Sequence, residues 1–188
     1  KNSAYVFIEN INFDGGISGA LSISGGSHHV VFRHSRIANR EQPATGATGV
    51  SIIPDLGMLM EDIVIYGNVF EELGDWNTTE DRDFHGVTPS LWGRDNTTEL
   101  RKVWVLNNYC THLSGDCVQV NAANWSGSYK YLHHVYIGNN ESYQNRQTGF
   151  WVKQGSDVII SQNKVSGNYG NGAANAGGGI GYQYDKHN

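Results

Sequence analysis

Ser114-Gly115-Asp116-Cys117-Val118-Gln119-Val120-Asn121 decides how this chain is read. It is a short apolar strand entered through a tight turn, with Val118 and Val120 on one face and Gln119 and Asn121 on the other. Upstream lies a second strand-like run, Val103 to Cys110. Downstream, Val135 to Ser142 repeats that run and Gly149 to Lys153 repeats the stretch itself. The rest of the chain is further copies of the same unit.

One spacing, apolar-x-apolar-x4-apolar, fits six places: Val6/Ile8/Phe13, Val30/Phe32/Ile37, Ile63/Ile65/Phe70, Val103/Val105/Cys110, Val135/Ile137/Ser142 and Val158/Ile160/Val165. Only Ser142 breaks the apolar rule. The copies start 24, 33, 40, 32 and 23 residues apart. A minimum unit of 23 residues with variable insertions predicts a solenoid of about six coils whose loops grow on one side. Asn68, Asn108, Asn140 and Asn163 recur three residues after the second apolar position, with Ile11 and Ser35 in the first two copies. Stacked coils would set these amides above one another as an Asn ladder; ordinary turn chemistry is the other reading. A second set of strands aligns as Leu21/Ile23, Val50/Ile52, Val87/Pro89, Val118/Val120, Phe150/Val152 and Ile180/Tyr182, each preceded by a small residue that suits a bend. Pro89 removes a ladder donor, so a distorted strand is expected there.

The bulk numbers agree with an all-β chain. The 188 residues include 24 Gly, only two Met and 16% charged residues, enough length for one domain with a sizeable core. A net charge of −5 offers no basic footprint for nucleic acid, and no apolar run reaches the length of a membrane span. Cys110 and Cys117 flank one turn; they bridge if their Cα atoms come within about 7 Å, and are otherwise two small buried thiols. N-x-S/T sequons stand at Asn77, Asn96, Asn124 and Asn140.

The copies, above all Val103 to Gly167, resemble the right-handed parallel β-helix superfamily, which includes pectate lyases, polygalacturonases, other polysaccharide lyases and phage tailspikes. The phrases SGDCVQV, GNN, GFWVKQ and DVIISQNKVSGN carry the resemblance, which covers nearly the whole chain. It implies the fold closely and the activity only loosely, since this fold hosts many chemistries. Of the Gly-Asp-Asp signature of polygalacturonase-like members only Gly115-Asp116 is present, and no Ca²⁺-site motif of pectate lyases is matched. The resemblance implies an extracellular or cell-surface setting. Both termini read as cut inside coils, so residues 1–188 are expected to be one β-helix domain that is part of a longer chain, or a subunit whose ends are covered by neighbours.

Registering the second strands yields candidate chemistry. One outward lane runs Ser22, Ser51, Thr88, Gln119, Trp151, Gly181; the next runs Ser24, Ile53, Ser90, Asn121, Lys153, Gln183; a third, before the small residue, carries His85 and Asp116 on adjacent coils. His85, Asp116 and Lys153 are the candidate catalytic set, the carboxylate orienting the imidazole and raising its pKa. Asp83, Arg94, Trp92, Gln119, Asn121, Trp125 and Trp151 are the candidate substrate contacts, in or beside the long insertions at 71–99 and 121–131. Aromatic faces stack on pyranose C–H groups while amides and carboxylates bond the hydroxyls, so a polysaccharide is the expected partner. Uronate β-elimination would use a base and a cation; hydrolysis would use paired carboxylates, with Asp83 and Asp116 the best pair. Asp81, Asp83 and Asp116 could instead hold Ca²⁺. Each of these residues has a plain structural reading too, as a turn cap or a loop anchor. His28-His29 and His133-His134 share a register, but they lie too many coils apart to share one metal ion, so no metal site is assigned. The alternative to an enzyme is a non-catalytic structural or adhesive solenoid that assembles through its open ends.

Overall fold

A computed structural model describes residues 1–42, 46–79, 82–122, 127–170 and 177–183. Trp125 and Asp81 of the candidate set lie outside the described residues.

Three parallel sheets of six strands each wind round one interior. The first sheet holds Ala4–Glu9, His28–Arg33, Leu59–Tyr66, Glu99–Leu106, Leu132–Gly138 and Ser156–Ser161 in spatial order. The second holds Asn12–Asp14, Arg36–Arg40, Val69–Leu73, Tyr109–Leu113, Glu141–Tyr143 and Lys164–Ser166. The third holds Leu21–Ser24, Ala47–Ile53, Phe84–Pro89, Val118–Asn121, Phe150–Lys153 and Ile180–Gln183. Each coil contributes one strand to each sheet, and every strand pairs with its counterpart in the next coil: the expected parallel β-helix of six coils. A single 3-10 turn, Ser128–Tyr131, interrupts the described loop between the fourth and fifth coils.

The register is the one the spacing predicts. Val6, Val30, Ile63, Val103, Val135 and Val158 lie in one inward column, and Val105, Ile137 and Ile160 stack in the next. Stacking like on like lets each coil bury its apolar lining against the coils above and below, which no coil could do alone.

The Asn ladder is present. Asn68 Nδ2 donates to Asn108 Oδ1 at 3.0 Å, Asn108 to Asn140 at 3.0 Å and Asn140 to Asn163 at 2.9 Å. Each of these oxygens also accepts the backbone N–H of the ladder residue one coil earlier, and Asn108 Nδ2 spends its second proton on the Ile65 carbonyl at 3.0 Å. The ladder reading holds and the turn reading of these asparagines does not, since Asn68, Asn108, Asn140 and Asn163 are not left-handed; the residue before each ladder position (Asn10, His34, Gly67, Asn107, Asn139, Gln162) takes the left-handed conformation that turns the chain. Asn140 is thereby buried, which removes its sequon from reach.

A second ladder was not read from the sequence. Asn145 Oδ1 accepts the Leu113 N–H at 2.9 Å, and Asn168 Oδ1 accepts that of Asn145 at 3.0 Å. Asn145 and Asn168 also donate to Ser142 Oγ, at 2.8 and 3.0 Å. That accounts for the one polar residue in an otherwise apolar column.

Cys110 and Cys117 are bridged, with Cα atoms 5.5 Å apart. The bond ties the second sheet to the third across the turn that carries Asp116. Pro89 distorts its strand as expected: on the side of Val118–Asn121, Phe84–Pro89 pairs only through Val87, plus an isolated bridge from Ser90 to Asn121. The first sheet shows a feature missed in the sequence. Phe7, Val31, Val64, Trp104, Tyr136 and Ile159 align as an apolar lane on its outer face.

Candidate functional site

The turn between the second and third sheets is where the chemistry collects. In the third, fourth and fifth coils its successive residues are Asp83-Phe84-His85, Ser114-Gly115-Asp116 and Arg146-Gln147-Thr148, the first members of the three stacking in one lane. The middle coil is made of small residues at the first two positions, and the structure shows why. A methyl carbon added at Gly115 would stand 2.5 Å from His85 Nδ1 and 2.9 Å from the Phe84 carbonyl carbon. Gly115 therefore makes room for the imidazole. Ser114 leaves a gap over which Arg146 reaches from the fifth coil to the third. Its Nε donates to the Ser114 carbonyl at 2.6 Å and its NH2 to Asp83 Oδ1 at 2.5 Å, where Gln147 Nε2 also donates at 2.5 Å. The next small lane has the same logic: a methyl at Gly86 would lie 2.5 Å from the Cys117 carbonyl oxygen, so close coil-to-coil approach, rather than a bend, selects Gly there.

His85 and Asp116 are neighbours, with Nδ1 and Oδ2 3.4 Å apart. Their relation is not the expected one. The Asp116 backbone N–H donates to His85 Nδ1 at 2.9 Å. A backbone amide can only donate, so Nδ1 carries no proton and the ring is neutral, protonated at Nε2. Burial, with the positive charges of Lys153 and Arg146, lowers the His85 pKa to about 3. The expectation that Asp116 raises it is corrected: desolvation and two cations outweigh one carboxyl. Asp116 moves the other way. Burial raises its pKa to about 7, opposed by the hydrogen bond from Gln119 Nε2 to Oδ2 at 2.9 Å, with the Asp83 charge adding to the rise. A protonated, neutral carboxyl beside Nδ1 also avoids setting a carboxylate charge against an acceptor nitrogen.

Of the sequence-predicted residues, His85, Asp116 and Gln119 are brought into direct contact. Lys153 acts on the first two through space and makes no hydrogen bond to either among the described residues. Asn121 Nδ2 approaches Gln119 Oε1 at 3.4 Å, and Asp83 joins through Arg146. Trp151 stands beside Gln119 in register and lies across Gly181: a methyl there would fall 1.8 Å from two of its ring carbons. The remaining two do not join. Arg94 turns back to the Pro54 carbonyl at 2.5 Å, and Trp92, 62% exposed, is linked through its backbone N–H to Ser90 Oγ. Trp76, a loop aromatic, packs edge-on against His112 and Tyr169 as an anchor. The Ca²⁺ alternative does not fit the described residues: Asp83 Oδ1 already serves two donors, and Arg146 and Lys153 supply positive charge where a cation would sit. Arg146 and Gln147 were missed, although placing Arg146 two coils from Asp83 in one lane follows from the same register, which also sets Thr148 beside Asp116.

A solenoid of parallel strands with a largely buried polar cluster at the turn between two of its sheets is the class of protein defined here. A family model described as "Right handed beta helix region" matches residues 1–186, and the chain belongs to that family. The comparisons with curated proteins and with solved structures each returned no match. Among the described residues no helix is long and apolar enough to cross a membrane.

Proposed function

We propose that this β-helix binds a polysaccharide along the outer edge of its third sheet and cleaves it by proton transfer through Asp116, in an extracellular or cell-surface setting. The observation that carries this is the polar column itself: Asp83, His85, Asp116, Gln119, Arg146 and Lys153 converge from three consecutive coils, and one carboxyl there titrates near neutrality. A group whose pKa lies near the working pH exchanges protons most effectively. His85, held as the Nε2–H tautomer, offers a donor to a sugar hydroxyl, and Lys153 offers charge to an acidic one. Trp151 and the exposed Trp92 supply the flat apolar faces that pyranose rings stack on. The Cys110–Cys117 bridge suits an oxidising compartment.

The second reading, a non-catalytic solenoid that stacks end to end, has observations of its own. The Asp116 side chain is 3% exposed, as befits a residue that only locks its turn. Ile180 and Tyr182, which continue interior columns, are 61% and 64% exposed. The test is a panel of acidic and neutral polysaccharides. Unsaturated products are expected from elimination, or new reducing ends from hydrolysis, and in either case Asp116→Asn should abolish them while the variant stays folded. No product from any glycan, together with filaments under the electron microscope, would establish the second reading instead.

A further inference from the structure

Away from this column, at the start of the first sheet, the fifth and sixth coils bring together His133, His134 and Asp157. One ligand atom from each lies within 4.8 Å of the others. Adjacent residues of a regular strand point to opposite faces. Here His134 takes a left-handed φ of 55°, which breaks the alternation and turns both rings to one side, Nδ1 facing Nδ1. Asp157 follows from the next coil, with Oδ2 4.0 Å from His134 Nδ1.

The second nitrogen of His133 is already committed: Nε2 meets Glu99 Oε1 at 3.1 Å. A carboxylate takes the proton side of the ring, so Nδ1 is left with its lone pair toward His134 and Asp157. That is how carboxylates orient and tune the histidines that ligate metals. The neighbouring cations are spoken for. Lys102, beside His134 on the fourth coil, is drawn to Glu61 at 3.0 Å and Asp62 at 3.7 Å; Arg101 is held by Glu61 and Glu99.

We propose that His133 Nδ1, His134 Nδ1 and Asp157 bind a divalent transition-metal ion such as Zn²⁺, with Glu99 positioning His133. Two imidazoles and one carboxylate suit Zn²⁺, Ni²⁺ or Cu²⁺ and not Ca²⁺ or Mg²⁺, which prefer an all-oxygen set. Metal–ligand bonds of about 2.1 Å require the ligand atoms to lie within about 4.2 Å of one another. Two adjustments of side chains at the surface complete the geometry: the two Nδ1 atoms, in direct contact, part to about 3.4 Å, the spacing of tetrahedral ligands, and the exposed Asp157 side chain rotates toward them. Three protein ligands leave a tetrahedral ion one open position.

The molecule carries its own control. His28 and His29 form the equivalent pair on the second coil, Nδ1 to Nδ1 at 2.8 Å, with His29 again at positive φ. But Asp62 meets His29 at Nε2, on the far side of the ring, and is shared with Lys102, while Tyr5 stacks on the His29 ring at 4.7 Å. Among the described residues that pair lacks a third ligand on its own side.

The experiment is calorimetric titration of the chelator-stripped 188-residue protein with ZnCl₂, with Co²⁺ absorption as a second readout. One Zn²⁺ per chain is expected, and Co²⁺ should give visible bands of a low-coordinate site. His134→Ala and Asp157→Asn, both at exposed positions and so compatible with folding, should each weaken Zn²⁺ tenfold or more. Glu99→Gln should weaken it about 10- to 100-fold. The double substitution of His28 and His29 by Ala should leave the affinity unchanged. Absence of binding, affinity indifferent to His134 and Asp157, or loss that follows the His28–His29 pair would each overturn the site.

Discussion

At Asp116 and His85, two buried groups have exchanged the protonation states they would hold in water. Unfolded, between about pH 4 and 6.5, Asp is ionised and His is charged. Folded, Asp116 keeps its proton up to about pH 7 and His85 stays neutral down to about pH 3. The two states bind the same number of protons, so in this window the pair contributes almost no pH dependence of stability. Removing one partner uncovers the other. In Asp116→Asn only His85 remains; the unfolded chain binds the extra proton, so stability should rise with pH from about 3 to 6.5. In His85→Gln only Asp116 remains; the folded chain holds the extra proton, so stability should fall as pH rises from about 4 to 7. Each slope approaches about 1.4 kcal/mol per pH unit. Urea midpoints measured across pH 3 to 8 would reveal both, and parallel profiles in the two variants would refute the exchange.

Among the elements, the turns do more than the strands to define the register. Strand pairing alone forbids a one-residue slip, which would turn the apolar face outward, but not a two-residue slip, which keeps it inward. The Asn columns forbid both: a slipped coil would leave buried amides without partners. Asn108→Leu keeps the branching at Cγ but orphans the Asn68 backbone N–H and the Ile65 carbonyl, leaves Asn68 Nδ2 with only its bond to the Phe32 carbonyl, and removes part of the Asn140 bonding. A loss of about 3–5 kcal/mol is expected, against under about 1 kcal/mol for a polar-to-Ala change on an outer lane. Equilibrium denaturation of both variants checks the difference, and equal losses would remove the ladder from the account. The Cys110–Cys117 bridge works at the same scale, closing a short loop worth about 2–3 kcal/mol around Asp116.

For the whole molecule, stability is a sum over coils and their contacts. Phe84–Pro89 in the third coil is buried at five of its six positions, whereas Ala4–Glu9 in the first and Ser156–Ser161 in the sixth have no fully buried residue. Amide hydrogen exchange should therefore be slowest in the third to fifth coils and fastest in the first and sixth. Uniform protection along the chain would mean that the end coils are covered by something else, which is what the end-to-end reading requires.

The architecture was legible because a solenoid turns a tertiary fact into a local one. When every coil stacks on its neighbour, a residue's contacts are the equivalent residues one repeat away, and the spacing of Val, Ile and Asn in the sequence already lists them. By the same rule His85 and Asp116 could be set on adjacent coils from their numbers alone. The sequence could not decide what depends on depth and direction. Whether Asp116 is charged follows from how thoroughly Gln119 and the adjoining coils exclude water. Which histidine nitrogen bears the proton follows from where one amide points. That His133 and His134 face the same way follows from a single left-handed residue. Register is set by pattern, which a chain carries in its order of residues; protonation and ligation are set by local dielectric and angle, which exist only once the coils have closed on one another.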